Sequence, residues 1–159
     1  MIKDVRLNVN GKEHTLQIDP ATPLLYPLRN ELELNGPKFG CGLEQCGSCM
    51  VLLDGMAEPS CMRTCSSLEG VEIRTIESLA DGEKLDPIQE AFIELQAAQC
   101  GYCVNGMVIS AKSLLEKNPN PADEEIKEGL QRVLCRCGTH SRFIKAVRLA
   151  AEKMKSTTL

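Results

Sequence analysis

The nine cysteines of this 159-residue chain are the feature that most restricts its fold. Eight of them form two groups of four with short and different spacings. The first group follows C-x4-C-x2-C-x11-C and consists of Cys41, Cys46, Cys49 and Cys61. The second follows C-x2-C-x31-C-x-C and consists of Cys100, Cys103, Cys135 and Cys137. Since four thiols make a complete ligand set for a metal centre, the fold is expected to bring each group together.

Metal ligation fits the rest of the composition better than disulfide bonding does. An odd number of cysteines cannot pair completely, and no export signal is expected from the alternating first residues. The chain has no tryptophan, two tyrosines and three phenylalanines, so a metal centre would compensate for a core short of large side chains. Cys65 belongs to neither group and is expected to be a small buried or surface thiol.

The first cysteine group has the plant-type spacing that binds a [2Fe-2S] cluster. A loop wound tightly round a cluster needs positive φ angles and close approach of the backbone to sulfur, which Gly40, Gly42 and Gly47 can supply. The second group fits either a cluster or a tetrahedral zinc, because C-x-C is less diagnostic. A mixed cysteine and histidine ligand set would need two histidines, and His14 lies far from His140 in the sequence.

The first 76 residues predict a small mixed sheet with one helix. Residues 2–19 alternate between polar and apolar on both sides of the Asn10-Gly11 dipeptide, which favours a hairpin turn. Leucines at helical spacing predict a helix in residues 22–34, with Thr22 as N-cap and Pro23 at the first helical position. A second hairpin is expected at Asp54-Gly55, followed by a strand at residues 71–76.

The second half predicts helices only. Polar residues 77–86 are expected to form a linker, because they include Gly82 and precede a proline. Four amphipathic helices are expected after it, at residues 87–99, 104–118, 123–134 and 140–154. The predicted fold class is therefore α+β: a ferredoxin-like (β-grasp) domain at residues 1–76, followed by an all-α four-helix domain at residues 87–159.

Charge and motifs exclude several classes of function. A net charge of −4 disfavours nucleic acid as a partner, and no apolar run is long enough to cross a bilayer. We therefore expect a cytoplasmic protein, or one held at a membrane only through a partner. The chain lacks a phosphate-binding glycine loop and a nucleophile with a matched base. It is expected to move electrons while another chain transforms the substrate.

Three segments of the chain resemble one known family. "FGCGLEQCGSCMVLLDG" followed by "SCM", then "QCGYCVNGMVISAKSLL" and "LCRCGTHSRFIKAV", resemble the two-cluster iron-sulfur small subunit of the xanthine oxidase family of molybdenum hydroxylases. The resemblance covers about residues 3 to 152. It implies that a separate large subunit binds a molybdenum-pterin cofactor and hydroxylates an aromatic heterocycle or an aldehyde. It also implies that the second cysteine group lies nearest the pterin and that Gln99 contacts it.

Details of the motifs indicate one branch of this family. Val104 and Asn105 stand where "TP" is common, and His140 stands where an aromatic residue is common. The motifs look most like small subunits of nicotinate and isoquinoline hydroxylases, with aldehyde oxidoreductases close behind. This resemblance implies FAD or haem c on a partner as the electron acceptor. A free-standing two-cluster ferredoxin and a zinc-stabilised interaction protein are the alternatives.

Overall fold

The computed structural model describes residues 1–157. One five-stranded mixed sheet forms the first half, with strand order β2-β1-β5-β3-β4. Its strands are β1 Lys3–Val9, β2 Lys12–Ile18, β3 Met50–Leu53, β4 Met56–Pro59 and β5 Glu72–Arg74. β5 pairs parallel with β1 and antiparallel with β3, so the last strand of the domain joins the two hairpins into one sheet. The predicted mixed sheet is confirmed.

Both predicted hairpin turns have the expected backbone. Asn10 and Gly11 have φ angles of 54° and 75°, and Asp54 and Gly55 have φ angles of 47° and 81°. Positive φ at both central residues matches the right-handed twist of the flanking strands. The second turn matters most for function, because it returns the chain from Cys49 at the start of β3 to Cys61 beyond the end of β4.

The helix of the first half is shorter than predicted and begins later. α1 spans Leu25–Asn30, and the residue before it, Leu24, makes no side-chain cap. The prediction that Thr22 caps this helix is wrong. The backbone around Thr22 pairs with the segment after β4 instead: the Cys65 N–H donates to the Thr22 carbonyl at 2.9 Å, and the Leu24 N–H donates to the Arg63 carbonyl at 2.8 Å.

The second half contains the four predicted helices. They are α2 Pro87–Glu94, α3 Val104–Lys117, α4 Asp123–Leu130 and α5 His140–Thr157. α2 begins with a capping box formed by Asp86 and Gln89 and ends earlier than predicted, since Gln96 has a φ of 47°. The rings of Phe92 and Phe143 stack at 5.7 Å between α2 and α5. The predicted α+β class is confirmed.

The limits of the two predicted domains stay a prediction. The predicted linker at residues 77–86 begins in a short 3-10 helix, Ile76–Ser78, and another such helix occurs at Cys65–Leu68. Residues 158 and 159 of the predicted helical domain lie outside the described residues. None of the helices within residues 1–157 is long and apolar enough to cross a membrane.

The two halves share one hydrophobic core and a charged network at its edge. Met50 and Leu52 on β3 belong to the same buried cluster as the apolar faces of the helices. Beside it, Lys112 on α3 forms ion pairs with Asp86 at 2.6 Å and with Glu116 at 3.4 Å, and Glu116 also pairs with Arg74 on β5. These contacts fix α3 against the sheet, so the cysteines on each half have a defined relation to one another.

Candidate iron-sulfur sites

The first cysteine group lies on the loop before β3 and just after β4. Cys41 and Cys46 are half-buried on that loop, whereas Cys49 and Cys61 are buried and pack with Leu25 of α1. The N–H and the hydroxyl of Ser60 both bind the Cys49 carbonyl, at 3.3 and 2.7 Å. This contact closes the β3-β4 hairpin and holds Cys61 beside Cys49. The predicted return of Cys61 to the loop is confirmed.

Backbone amides in this loop point at sulfur. The N–H groups of Leu43 and Gln45 both donate to Cys41 Sγ at 3.3 Å, and the Cys41 N–H donates to Cys46 Sγ at 3.4 Å. Burial raises the pKa of the Cys41 thiol, but the backbone hydrogen bonds outweigh burial and lower the pKa to about 7. The loop is therefore built to hold a thiolate, the form of cysteine that binds metal.

The glycines of the loop have the roles expected from the sequence. Gly42 and Gly47 have φ angles of 67° and 71°, in the left-handed region that side chains rarely adopt. A Cβ atom at Gly40 would lie 2.7 Å from Cys46 Sγ and 2.5 Å from Ser48 Oγ. Glycine at these positions therefore lets the backbone turn tightly and approach the sulfurs closely.

The second cysteine group lies where two interhelical segments meet. Cys103 is the residue before α3, and Cys100 precedes it by three residues. Cys135 and Cys137 lie between α4 and α5, where the Cys135 Sγ is 3.2 Å from the Thr139 hydroxyl. Because the N-terminus of α3 carries partial positive charge, it favours an anionic group at this position. The predicted meeting of the two segments is confirmed.

The acidities of these thiols differ according to their surroundings. Burial raises the pKa of Cys135, but hydrogen bonds from the hydroxyl and N–H of Thr139 outweigh it and lower the pKa to about 7. Burial raises the pKa of Cys103 to about 12 and that of Cys61 to about 11. Each group thus contains a thiol with a lowered pKa and a buried thiol with a raised pKa. The buried thiol loses its proton when metal binds.

The thiols of each group associate in twos. Side-chain interactions link Cys41 with Cys46, Cys49 with Cys61, Cys100 with Cys137, and Cys103 with Cys135, and electrostatic interactions also connect these pairs within each group. Within residues 1–157, no three or more His, Cys, Asp or Glu side chains converge as ligands of a single metal ion would. The C-x4-C-x2-C spacing of the first group is the observation that favours a [2Fe-2S] cluster there over tetrahedral zinc.

The two cysteine groups face each other across one cavity. The cavity measures about 220 Å³ and is lined by Cys41 and Cys46 from the first group and by Cys100, Cys103 and Cys135 from the second. The Leu134 N–H donates to the Cys46 carbonyl at 3.0 Å, so the residue before Cys135 is hydrogen-bonded to the loop of the first group. Groups bound at the two sites would therefore be close neighbours.

Other predicted residues lie at the edges of the sites. Gln99 is exposed next to the exposed Cys100. His140 is exposed at the start of α5, and its ring forms a T-shaped contact with Phe143 at 6.1 Å between ring centroids. Cys65 is buried in the apolar cluster of the sheet, and burial raises its pKa to about 11.

Sequence reasoning did not find two polar contacts of the sites. One is the Thr139 hydroxyl beside Cys135, and the other is the Ser48 hydroxyl, 3.1 Å from Cys46 Sγ. Each lies within four residues of the cysteine that it contacts. A search of the residues next to each cysteine for hydroxyl groups would have found both.

Two family comparisons match the chain in agreement with this geometry. Residues 7–80 match the family described as "2Fe-2S iron-sulfur cluster binding domain". Residues 75–148 match the family described as "[2Fe-2S] binding domain". The fold and its two cysteine groups therefore define a protein with two [2Fe-2S]-binding domains.

Comparison with whole proteins gives the family. The chain is 51% identical to one of the subunits of nicotinate dehydrogenase from Pseudomonas putida, over 93% of this chain and 94% of that protein. It is 42% identical to the small subunit of nicotine 6-hydroxylase from Paenarthrobacter nicotinovorans, over 91% and 87%. The chain belongs to the iron-sulfur small subunits of the xanthine oxidase family of molybdenum hydroxylases, and so it is the iron-sulfur subunit of a molybdenum-dependent oxidoreductase.

Solved structures agree with this assignment. A chain of quinoline 2-oxidoreductase from Pseudomonas putida 86 superposes with a TM-score of 0.92 and 35% identity, covering 99% of both chains. Aldehyde oxidoreductase from Desulfovibrio desulfuricans also superposes with a TM-score of 0.92, at 36% identity. In the latter case the match covers 97% of this chain but only 17% of a much longer one.

Proposed function

We propose that this chain conducts single electrons from a molybdenum-pterin site on a large partner subunit, through two [2Fe-2S] clusters, to a flavin or cytochrome c acceptor. The main support is the cavity at which thiols of both cysteine groups meet. Electron transfer between two centres requires that they be close and held in a fixed relation, and the shared core and the Leu134 hydrogen bond supply both conditions.

The eight paired thiols are the proposed ligands: Cys41, Cys46, Cys49, Cys61, Cys100, Cys103, Cys135 and Cys137. When bound, a [2Fe-2S] cluster accepts and releases one electron at a time. The N–H groups of Leu43 and Gln45 would stabilise added negative charge at the first site, as hydrogen bonds to sulfur do. The burial of Cys49 and Cys61 with Leu25 keeps water from one side of that site.

The open side of the second site is the proposed contact with the large subunit. Cys100 is exposed there, and so are Tyr102 and Leu134, with 51% and 64% of their surfaces accessible. Exposed apolar side chains around a metal site indicate a surface that a partner covers. Gln99 lies on this side and is the residue proposed to contact the pterin.

The names of the relatives support an N-heteroaromatic substrate of the nicotinate type. Relatives named for nicotinate, nicotine and isoquinoline match at 51%, 42% and 42% identity. A second nicotinate dehydrogenase subunit matches at 38%, a probable xanthine dehydrogenase subunit at 43%, and two aldehyde oxidoreductases at 36% and 39%, so the support comes mainly from the 51% match. Hydroxylation of such a ring would take place on the partner subunit. An aldehyde oxidoreductase subunit, with the same electron-transfer role, is the second candidate. We propose a cytoplasmic location, with membrane association only through a partner.

A free-standing two-cluster ferredoxin is the third candidate. A simple electron carrier needs no helical half with a cysteine group of its own, whereas this chain has one and leaves Cys100 exposed in it. This exposure favours a subunit that is completed by a larger chain.

Isolation of the native complex tests the proposal. The tag is placed at the N-terminus, because Met1 is exposed, precedes β1 and pairs through its amine with Asp19 in the first half of the chain. We expect a large subunit with molybdenum to co-purify, together with about four irons per small chain. Haem c in the complex would indicate a cytochrome acceptor, and FAD would indicate a flavin acceptor. Iron without molybdenum or a large partner would contradict the proposal.

A further inference from the structure

Asn105, on the first turn of α3, joins the two cysteine groups through its side chain. Its Nδ2 donates to the Ser48 carbonyl at 3.1 Å and to the Met50 carbonyl at 3.0 Å. These two residues flank Cys49 of the first group, and Asn105 itself follows Cys103 of the second group by two residues. One carboxamide therefore connects the backbone around one thiol of the first group to the backbone next to a thiol of the second.

The chemistry of this position requires asparagine. Asn105 is buried, with 3% of its surface exposed, and its Oδ1 has no hydrogen-bond partner among the described residues. Burying an unpaired oxygen costs stability, so the side chain is not explained by packing alone. Its two N–H groups pair with two carbonyls on the first loop, which a hydroxyl or an apolar side chain cannot do. Turning the amide round would place Oδ1 against both carbonyl oxygens.

We propose that Asn105 is a positioning residue that fixes Cys49 relative to Cys103, and thereby sets the distance and orientation for electron exchange between the two sites. This inference rests on the proposed function. Hydrogen bonds on both sides of Cys49 restrain its backbone. They come from α3, a 14-residue helix that bends little and so keeps Asn105 in a fixed position relative to Cys103. Within residues 1–157, two other hydrogen bonds join the cysteine-bearing segments, from the Leu134 N–H to the Cys46 carbonyl and from the Tyr102 hydroxyl to the Phe39 carbonyl, and neither acts on the backbone beside Cys49.

The backbones of α3 and of the cysteine loop approach each other closely beside Asn105. A Cβ atom at Gly106 would lie 2.2 Å from the Gly47 carbonyl oxygen, so the helix touches the loop directly at the next residue. There is therefore no space for a bridging water between α3 and the loop at Gly106. Beside this contact, Asn105 supplies the two side-chain hydrogen bonds that hold the backbone on both sides of Cys49.

Asn105→Ala tests the inference, with Ser113→Ala as its matched control. Ser113 lies on the same helix and also bridges the halves with two hydrogen bonds, to the Gly55 carbonyl at 2.9 Å and from the Ala57 N–H at 3.1 Å. It contacts the β3-β4 turn instead of the cysteine loop. Both variants lose two contacts between the halves, so a purely structural role predicts similar behaviour for both.

The measurement is the electron paramagnetic resonance spectrum of the reduced native complex. Two nearby paramagnetic clusters split each other's signals to an extent that depends on their distance and orientation. We expect Asn105→Ala to lose or change this splitting and to slow electron exchange between the sites. We expect Ser113→Ala to keep the wild-type spectrum. Wild-type splitting in a fully loaded Asn105→Ala complex would overturn the inference.

A second variant covers the case in which alanine destabilises the loop. Asn105→Leu keeps a branched side chain with the same number of heavy atoms but without the two donors, and it is expected to change the splitting in the same way. Loss of iron from the first site alone, in both variants, would also support the inference, since Cys49 would then be misplaced. A wild-type complex without two clusters would refute the proposed function instead, so the two failures are distinguishable.

Discussion

Replacing Cys135 by serine is expected to reduce the iron content from about four to about two per chain and to stop electron flow to the acceptor. The hydroxyl of serine is a poor ligand for iron beside three thiolates. The hydrogen bonds from Thr139, which lower the pKa of the Cys135 thiol, would no longer favour a thiolate at this position. The first cysteine group lies on a separate loop, so its iron should remain. Iron analysis and reduction of the acceptor by substrate, both in the native complex, measure the effect.

Cys65→Ala is the matched control for this prediction. Cys65 is also a cysteine, but it is buried in the apolar cluster of the sheet and lies in neither group. Its replacement should lower the free energy of unfolding by about 1 kcal/mol and leave the iron content unchanged. If Cys135→Ser kept all its iron, or if both variants lost iron to the same extent, the assignment of Cys135 as a ligand would be wrong.

Gly106→Ala is expected to have the largest effect on stability, lowering the free energy of unfolding by about 3 kcal/mol. The new Cβ would lie 2.2 Å from the Gly47 carbonyl oxygen and 3.0 Å from its carbonyl carbon, and neither backbone atom can move without displacing the cysteine loop. Alanine has the higher helix propensity, which offsets part of this cost. Chemical denaturation of the loaded protein measures the difference.

Gly129→Ala gives a matched control in another helix. At that position the new Cβ would lie 3.1 Å from Leu114 Cδ2, the end of a flexible side chain that can rotate away. We expect its stability to be unchanged or raised by up to about 1 kcal/mol, from helix propensity alone. Equal stability of the two variants would show that the helix and the loop are not in direct contact at Gly106.

Local sequence signals predicted the elements of the fold well. Alternating residues around Asn10-Gly11 and Asp54-Gly55 specify the hairpins, because positive φ at both turn positions is a property of the two residues themselves. Helical periodicity predicted the four helices of the second half, because the spacing of apolar residues is also a local property of the sequence. The start of α1 was predicted wrongly, since a long-range pairing of Thr22 with Cys65 outweighed its local preference to cap a helix.

The cysteine spacings predict two groups of four thiols, and the structure places one group around the β3-β4 hairpin and the other on two interhelical segments. They did not predict how the sites face each other. That relation depends on the contact of Gly47 with Gly106 and on the hydrogen bonds of Asn105, which join residues more than fifty positions apart. The sequence showed Asn105 only as a departure from the common family motif, and its role required the packed structure.

The most direct test of the account is the iron, zinc and acid-labile sulfide content of the purified wild-type chain, together with its spectrum after reduction. The account predicts about four irons and about four sulfides per chain, with two distinct paramagnetic signals. This result would support the eight thiols as the ligands of two [2Fe-2S] clusters. A colourless protein with about two zinc ions per chain and no sulfide would contradict it.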